Sequence, residues 1–153
     1  MTGGNQGIGY ALTKKLITEH GCHVYMGARN MDRGNAAIEK LIGEDARCQG
    51  KVELTQVEVD NETSVLNAAE LMMHKLGDER LYALVNNAGC YLKGADKDLM
   101  IRTNVYGVKW MSEAFSEFID EEDGRIVNLG GGAGPGYVAA LKDPEKKALL
   151  SSK

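Results

Sequence analysis

The residues best suited to chemistry begin almost at once, with TGGNQGIG from Thr2 to Gly9. Glycines at 3, 7 and 9 have the spacing of a turn that wraps a diphosphate. In such a turn the first glycine makes the tight bend, the second lets backbone approach the phosphates, and the third lets helix and sheet pack closely. The following helix start then offers free N–H groups and a partial positive charge, with Asn5, Gln6 and Ile8 in the same turn as candidate contacts. No GK[ST] closes the run, so it is not a P-loop. A bare helix-start turn remains open on these residues alone. Further along lie the cations Arg29 and Arg33, the pair Asp60-Asn61, the corner Asn87-Ala88-Gly89, and Asn104. YALTK, Tyr10 to Lys14, sets a tyrosine four residues before a lysine, but on the helix that leaves the glycine turn.

The elements that must position these residues follow from periodicity. Ala11, Leu12, Leu16 and Ile17 recur at helical spacing from Tyr10 to His20, with Gly21 where a helix end favours positive φ. CHVYMGAR (22–29) reads as a short buried strand, and a helix over 32–42 turns Ala37, Ile38, Leu41 and Ile42 inward. VELTQVEV (52–59) is the next strand, and Asp60 or Asn61 caps a helix carrying Val65, Ala69, Met72 and Leu76. LYALVNN (81–87) is nearly continuous apolar, as a strand covered on both faces must be. One long helix is expected over 97–119, then the strand RIVNLG (125–130). GGGAGPG (130–136) reads as a loop, and DPEKKALL as a helix start with Asp143 as cap and Pro144 at the first position. Met72, Met73, Met100 and Met111 fall on these helices as core filler. Strands alternating with helices imply a parallel sheet covered on both faces, with ligands at the carboxyl ends of its strands.

Composition excludes several functions. With 18 Lys and Arg against 22 Asp and Glu the net charge is −4, without the basic excess of a nucleic-acid binder. No run of 18 apolar residues would span a membrane, and no basic-then-apolar leader opens the chain. Cys22, Cys48 and Cys90 are odd in number and lack a CxxC pair, which fits a reducing, cytoplasmic-type compartment better than a disulfide or zinc framework. His20, His23 and His74 form no metal-ligand pattern.

TGGNQGIG, VEVD ending at Asp60, NNAG (Asn86 to Gly89), TNVYG around Asn104 and GRIVN (Gly124 to Asn128) stand in order and in register. Together they resemble the classical short-chain dehydrogenase/reductases, and the resemblance covers essentially the whole chain. ARN after the second strand and the long segment after the fourth are most similar to the carbonyl-reductase branch. The resemblance implies a Rossmann-type doubly wound sheet, hydride transfer between a nicotinamide dinucleotide and a ketone or aldehyde, and a small-molecule carbonyl substrate. It leaves room for a homo-oligomer.

NAD-binding members place a carboxylate about 20 residues past the glycines, on the ribose 2′-OH. Here the place is Ala28, followed by Arg29 and, a turn later, Arg33. A guanidinium suits a 2′-phosphate, so NADP(H) is the expected cofactor. By the same resemblance Asp60 meets the adenine edge, with a plain capping role open beside it, and Asn61 contributes backbone. Asn87, Ala88 and Gly89 line the ribose and nicotinamide.

The family's catalytic set is a serine, a tyrosine with a lysine four residues on, and an asparagine in the long helix that holds a proton-relaying water. Only Asn104 is found in its expected place, and it also reads as an ordinary helix residue bonded to backbone. Gly131 stands where the serine is expected, and Leu141 lies four residues after Tyr137. YALTK is a chance match. Residues 143–153 resemble the start of a family-variable insert, so tyrosine and lysine are expected beyond Lys153. Met1 corresponds to the last position of the family's first, central strand (order 3-2-1-4-5), so the domain, residues 1–153, is expected to be a fragment incomplete at both ends. The gap would be closed by pairing the strands around it or by a partner's strand, or else the chain folds poorly. Two functions fit: part of an NADPH-dependent carbonyl reductase, or a non-catalytic module that binds the nucleotide.

Overall fold

The computed structural model describes residues 1–91 and 96–151. Its elements run α1 (Gly7–His20), β1 (Val24–Ala28), α2 (Met31–Glu44), β2 (Val52–Gln56), α3 (Glu62–Leu76), β3 (Ala83–Asn86), α4 (Lys97–Ile101), α5 (Gly107–Phe115), β4 (Arg125–Asn128), α6 (Ala133–Ala140) and α7 (Pro144–Ser151). This is the α/β alternation expected of a partial Rossmann-type fold.

Local chemistry explains the boundaries. Gly21, at φ 68°, ends α1 with its N–H on the Ile17 carbonyl, while Cys22 N–H reaches Leu16. Asn30 caps α2 by accepting the Arg33 N–H at 2.8 Å, and Asn61 rather than Asp60 caps α3 by accepting from Ser64 at 3.2 Å. The long helix expected over 97–119 is interrupted: a π turn at Arg102–Tyr106 separates α4 from α5 and contains Asn104. A second difference lies in the glycine-rich run, where α6 starts at Ala133 instead of a loop continuing to Gly136. Pro135 is in the first turn, where its missing N–H costs nothing, and Val138, Ala139 and Ala140 carry the helix on. Asp143 caps α7 by accepting the Lys146 N–H at 3.2 Å.

The sheet is in two parts. β1 pairs with β2 in parallel, Val24 opposite Val52 and Ala28 opposite Gln56. β3 pairs with β4 in parallel, Ala83 opposite Arg125 and Asn86 opposite Asn128. Each half has its own core. Ile17, Met26, Leu41, Cys48 and Val52 pack together in the first, and Val65, Met72, Leu84, Met111 and Phe115 in the second. β1 and β3 do not close on one another. Met1 and Thr2 lie between them: Gly27 N–H donates to the Met1 carbonyl at 2.7 Å, and Thr2 N–H to the Val85 carbonyl at 3.0 Å. Two residues thus stand where a central strand would run and carry the backbone pairing between the halves, while Lys75 of α3 reaches across to Glu53 of β2 and Tyr25 of β1 packs on the second core.

Among the described residues no helix is long and apolar enough to cross a membrane, and no group of His, Cys, Asp and Glu is placed to hold a metal. All three cysteines are free thiols.

Candidate functional site

At the carboxyl ends of β1, β2 and β3 lies an open cavity of about 620 Å³, within the range of small-molecule and cofactor sites. Its floor is the glycine turn. Gly3 has φ 63° and Gly7 φ 55°, backbone that side chains other than glycine rarely adopt. A Cβ at Gly7 would meet nothing within 4 Å, so this part of the backbone is open to the cavity. Gly9 is the opposite case. A Cβ there would sit 2.3 Å from the Gly3 carbonyl oxygen and 2.5 Å from the Asn87 amide nitrogen, so only glycine lets α1 start this close to the turn. Gln6, the residue before α1, makes no side-chain cap, and no acidic residue lies in the first turn. The first N–H groups of a helix have no partner within it, so these are available to an anion.

The second wall is the corner after β3, tied directly to the turn. The Thr2 hydroxyl, on a residue only 2% exposed, accepts the N–H groups of Asn87 at 3.1 Å and Ala88 at 3.0 Å. The Asn87 amide returns bonds to the carbonyls of Thr2 at 2.9 Å and Gly3 at 3.1 Å. Thr2 is not among the residues that spacing alone singles out. A threonine immediately before the first glycine is the available signal, since a short hydroxyl there reaches the neighbouring strand end.

At the far rim stand Arg29 and Arg33, from the end of β1 and the first turn of α2. Both are exposed, and neither forms an ion pair with a described residue. Asp60 lines the side near the end of β2, whereas Asn61 does not reach the cavity and spends its side chain on the α3 cap. Asn5, Gln6, Ile8, Ala88 and Gly89 complete the expected set around the cavity. Cys90, Tyr91 and Leu99 line it without any sequence signal, Tyr91 being 85% exposed, and Thr103, the first residue of TNVYG, lies one helical turn after Leu99.

Asn104 does not line the cavity. Its amide clasps the backbone of Cys90 at both ends, accepting the N–H at 2.7 Å and donating to the carbonyl at 2.8 Å. Cys90 does line the cavity, so Asn104 fixes the wall from behind. Gly131 is exposed, with open space where its side chain would be. Tyr10 and Lys14 do not line the cavity, and Lys14 is paired with Glu44 of α2 at 2.8 Å.

Comparison with known proteins agrees with this arrangement. The family model described as short chain dehydrogenase matches residues 1–141. A short chain dehydrogenase/reductase of Gibberella zeae is 35% identical over 134 residues, covering 84% of this chain and 36% of its own length. Carbonyl reductase [NADPH] 1 of Mus musculus is 29% identical over 136 residues, covering 84% and 47% respectively. The chain therefore spans between a third and a half of these curated relatives. Among solved structures, a metagenomic short-chain oxidoreductase in complex with NADP is similar with a TM-score of 0.72 at 26% identity, over 87% of this chain and 60% of that one. Menthone neomenthol reductase from Mentha piperita is similar with a TM-score of 0.85 at 25% identity, over 99% and 65%. With the family model matching residues 1–141 of this chain and the glycine turn, strand-end corner and paired parallel strands in place, this chain belongs to the short chain dehydrogenase family.

Proposed function

We propose that this chain binds NADP(H) in the cavity above the glycine turn, as the nucleotide-holding part of a carbonyl-reductase-like oxidoreductase acting on a ketone or aldehyde. One observation carries the reading. The uncapped start of α1 and the unpaired cations Arg29 and Arg33 line the same cavity, two anion-favouring features on one surface. A dinucleotide with a 2′-phosphate has a diphosphate for the first and a dianion for the second. The open backbone at Gly7 admits the diphosphate to within hydrogen-bonding distance, where any side chain would intrude.

In this reading the first-turn N–H groups of α1 hold the diphosphate and the guanidinium of Arg29 holds the 2′-phosphate. Asp60 accepts from the adenine amine, and the Asn87-Ala88-Gly89 corner shapes the ribose and nicotinamide subsite. Asn61 contributes through backbone and its cap, holding the start of α3 beside Asp60. The bound nucleotide supplies the hydride. Asn104 acts as a positioning residue, because its amide is committed to Cys90 and so sets the wall against which the nicotinamide half would lie.

A second reading, a nucleotide-binding module without turnover, is favoured by a specific observation. Gly131 offers no hydroxyl, and among the described residues no tyrosine-lysine pair lines the cavity. Proton transfer to a carbonyl oxygen needs a donor within hydrogen-bond reach.

Fluorescence titration with NADPH tests the first part of the proposal, and consumption of NADPH with a panel of ketones and aldehydes separates the two readings. Saturable binding is expected. A folded chain that shows no binding below millimolar nucleotide would refute the assignment. Turnover by this chain would overturn the second reading, and binding without turnover would sustain it.

A further inference from the structure

Arg29 and Arg33, the two cations at the far rim of the nucleotide cavity, are held there by different means. Arg29 directly follows β1, where the Val57 N–H donates to the Ala28 carbonyl at 3.0 Å and ties the strand end to the chain leaving β2. Arg33 belongs to the first turn of α2, three residues after the cap. Met31, Asp32 and Arg33 are all exposed, and the first buried residue of α2 is Gly34. A Cβ at Gly34 would sit 2.5 Å from Leu54 Cδ1, so from there onward the helix lies directly on β2. The turn that carries Arg33 therefore stands outside the packed part of the helix, and burial does not hold it.

Asn30 holds it instead. Its carbonyl accepts the Gly34 N–H at 3.0 Å, and its side-chain oxygen accepts the Arg33 N–H at 2.8 Å. A cap of this kind satisfies one of the donors that a helix start leaves without a partner. Asn30 itself lines the cavity, between the two arginines in sequence.

Arg33 does nothing for the stability of α2. The start of a helix carries a partial positive charge, so a cation in the first turn is disfavoured. Asp32 is its neighbour in sequence, but successive residues of a helix do not face one another, and Arg33 forms no ion pair with a described residue. A local conflict of this sort is expected at a functional position. An anion at the rim resolves it, because it meets the guanidinium and the helix start together.

We infer that Asn30 is a positioning residue for the 2′-phosphate of the nucleotide: by capping α2 it presents Arg33 beside Arg29, so that two guanidinium groups close on one dianion. The inference rests on the NADP(H) reading proposed above and adds to it the device that sets the preference over NADH.

The size of the effect follows from the exposure of the turn. Without its cap, the segment Met31–Arg33 frays, and Arg33 is in place only in the fraction of molecules whose turn is formed. Apparent affinity for a ligand that uses Arg33 falls by that fraction. Loss of a cap changes such an equilibrium by about 3- to 10-fold. NADH has a hydroxyl where NADPH has the phosphate, so it does not draw on Arg33 and escapes this loss. A direct contact between the Asn30 amide and the nucleotide is the rival account, and serine separates the two. It caps a helix about as well as asparagine, but it has no amide to offer a ligand.

The test titrates NADPH and NADH against the full chain and its Asn30→Ala, Asn30→Ser and Arg33→Gln variants, with hydrogen exchange at the Arg33 amide measured without nucleotide. In Asn30→Ala the preference for NADPH over NADH should fall about 3- to 10-fold, and the Arg33 amide should exchange faster. Asn30→Ser should return both toward the parent. Arg33→Gln should lower the preference at least as far, and adding Asn30→Ala to it should lower the preference no further, since the asparagine acts through the arginine. Additive losses would overturn the inference, as would a serine variant that restores the exchange rate but not the preference. An Asn30→Ala variant that melts earlier with its preference unmoved would show a cap that serves the helix alone, and would remove this inference while leaving the nucleotide reading intact. A folded parent that binds no NADPH would remove both.

Discussion

Thr2 and Asn87 hold each other reciprocally: the threonine hydroxyl accepts the asparagine N–H at 3.1 Å, and the asparagine amide donates back to the threonine carbonyl at 2.9 Å. The bonds join residues 85 apart in sequence and fasten the glycine turn to the end of β3. Thr2→Val keeps the shape and removes the hydroxyl, leaving the Asn87 and Ala88 N–H groups without their acceptor. A buried unsatisfied group costs about 1–3 kcal/mol, so Thr2→Val should lower stability by about 2–3 kcal/mol in chemical denaturation. Thr2→Ser should recover most of it. Equal stability of the valine variant and the parent would show that water satisfies these groups.

Two glycines of the same turn should respond differently. Gly9→Ala places a methyl against the Gly3 carbonyl and the Asn87 amide, so it should destabilise the fold itself, by several degrees in melting temperature. Gly7→Ala meets no atom but must hold φ near 55°, a strain of about 1 kcal/mol. Its larger effect should be on nucleotide affinity, by about 10-fold or more. Parallel thermal melts and NADPH titrations distinguish the two. Unchanged affinity in Gly7→Ala would remove the diphosphate from this turn.

Arg29→Asp replaces a cation at the rim with the carboxylate that favours a ribose 2′-OH. NADPH affinity should fall by about 10- to 100-fold, the scale set by replacing one charge-assisted hydrogen bond with a repulsion between like charges, while NADH affinity holds or rises. Competitive titration of the two nucleotides reads the ratio. An unmoved ratio would transfer the 2′-phosphate contact away from Arg29, with Arg33 the next candidate on the same rim.

With Met1 as a free terminus, stability should depend on pH near neutrality. Its amino group falls from the ordinary 8.0 to about 6 because burial disfavours the charge. Between these values the unfolded chain binds the proton and the folded chain does not, so stability rises with pH through this window and is lost as pH falls through it. The difference between the two values corresponds to about 2–3 kcal/mol. Denaturant midpoints at pH 6 and pH 8 should differ in that direction, and acetylation of the terminus should abolish the difference.

The order of elements was legible because periodicity and capping act locally. Gly21, Asn30 and Asn61 each end or start a helix through bonds to residues within five positions. The glycine turn was legible for the same reason. Contacts that depend on two distant segments were not. The Thr2 hydroxyl reaches Asn87, the Asn104 amide reaches Cys90, and neither partnership leaves a local spacing. The π turn follows this pattern, since its position is marked by a tertiary bond and not by a helix breaker. α6 escapes a reading that weighs glycine heavily, because a proline in the first turn and the alanines behind it outweigh that tendency.

The division of the sheet has a consequence for how the chain comes apart. Each half packs around its own cluster of buried side chains, and only Met1 and Thr2 carry backbone pairing from one to the other. Cooperativity in unfolding requires that loss of one region withdraw support from the next. Here that withdrawal passes through those two residues and a few side chains, Tyr25 and Val57 packed on the second cluster and Lys75 paired with Glu53, so the α1–β2 half and the α3–β4 half are expected to open as separate foldons. Spectroscopic probes packed on the two clusters, Tyr10 on the first and Trp110 on the second, should then trace non-coincident transitions.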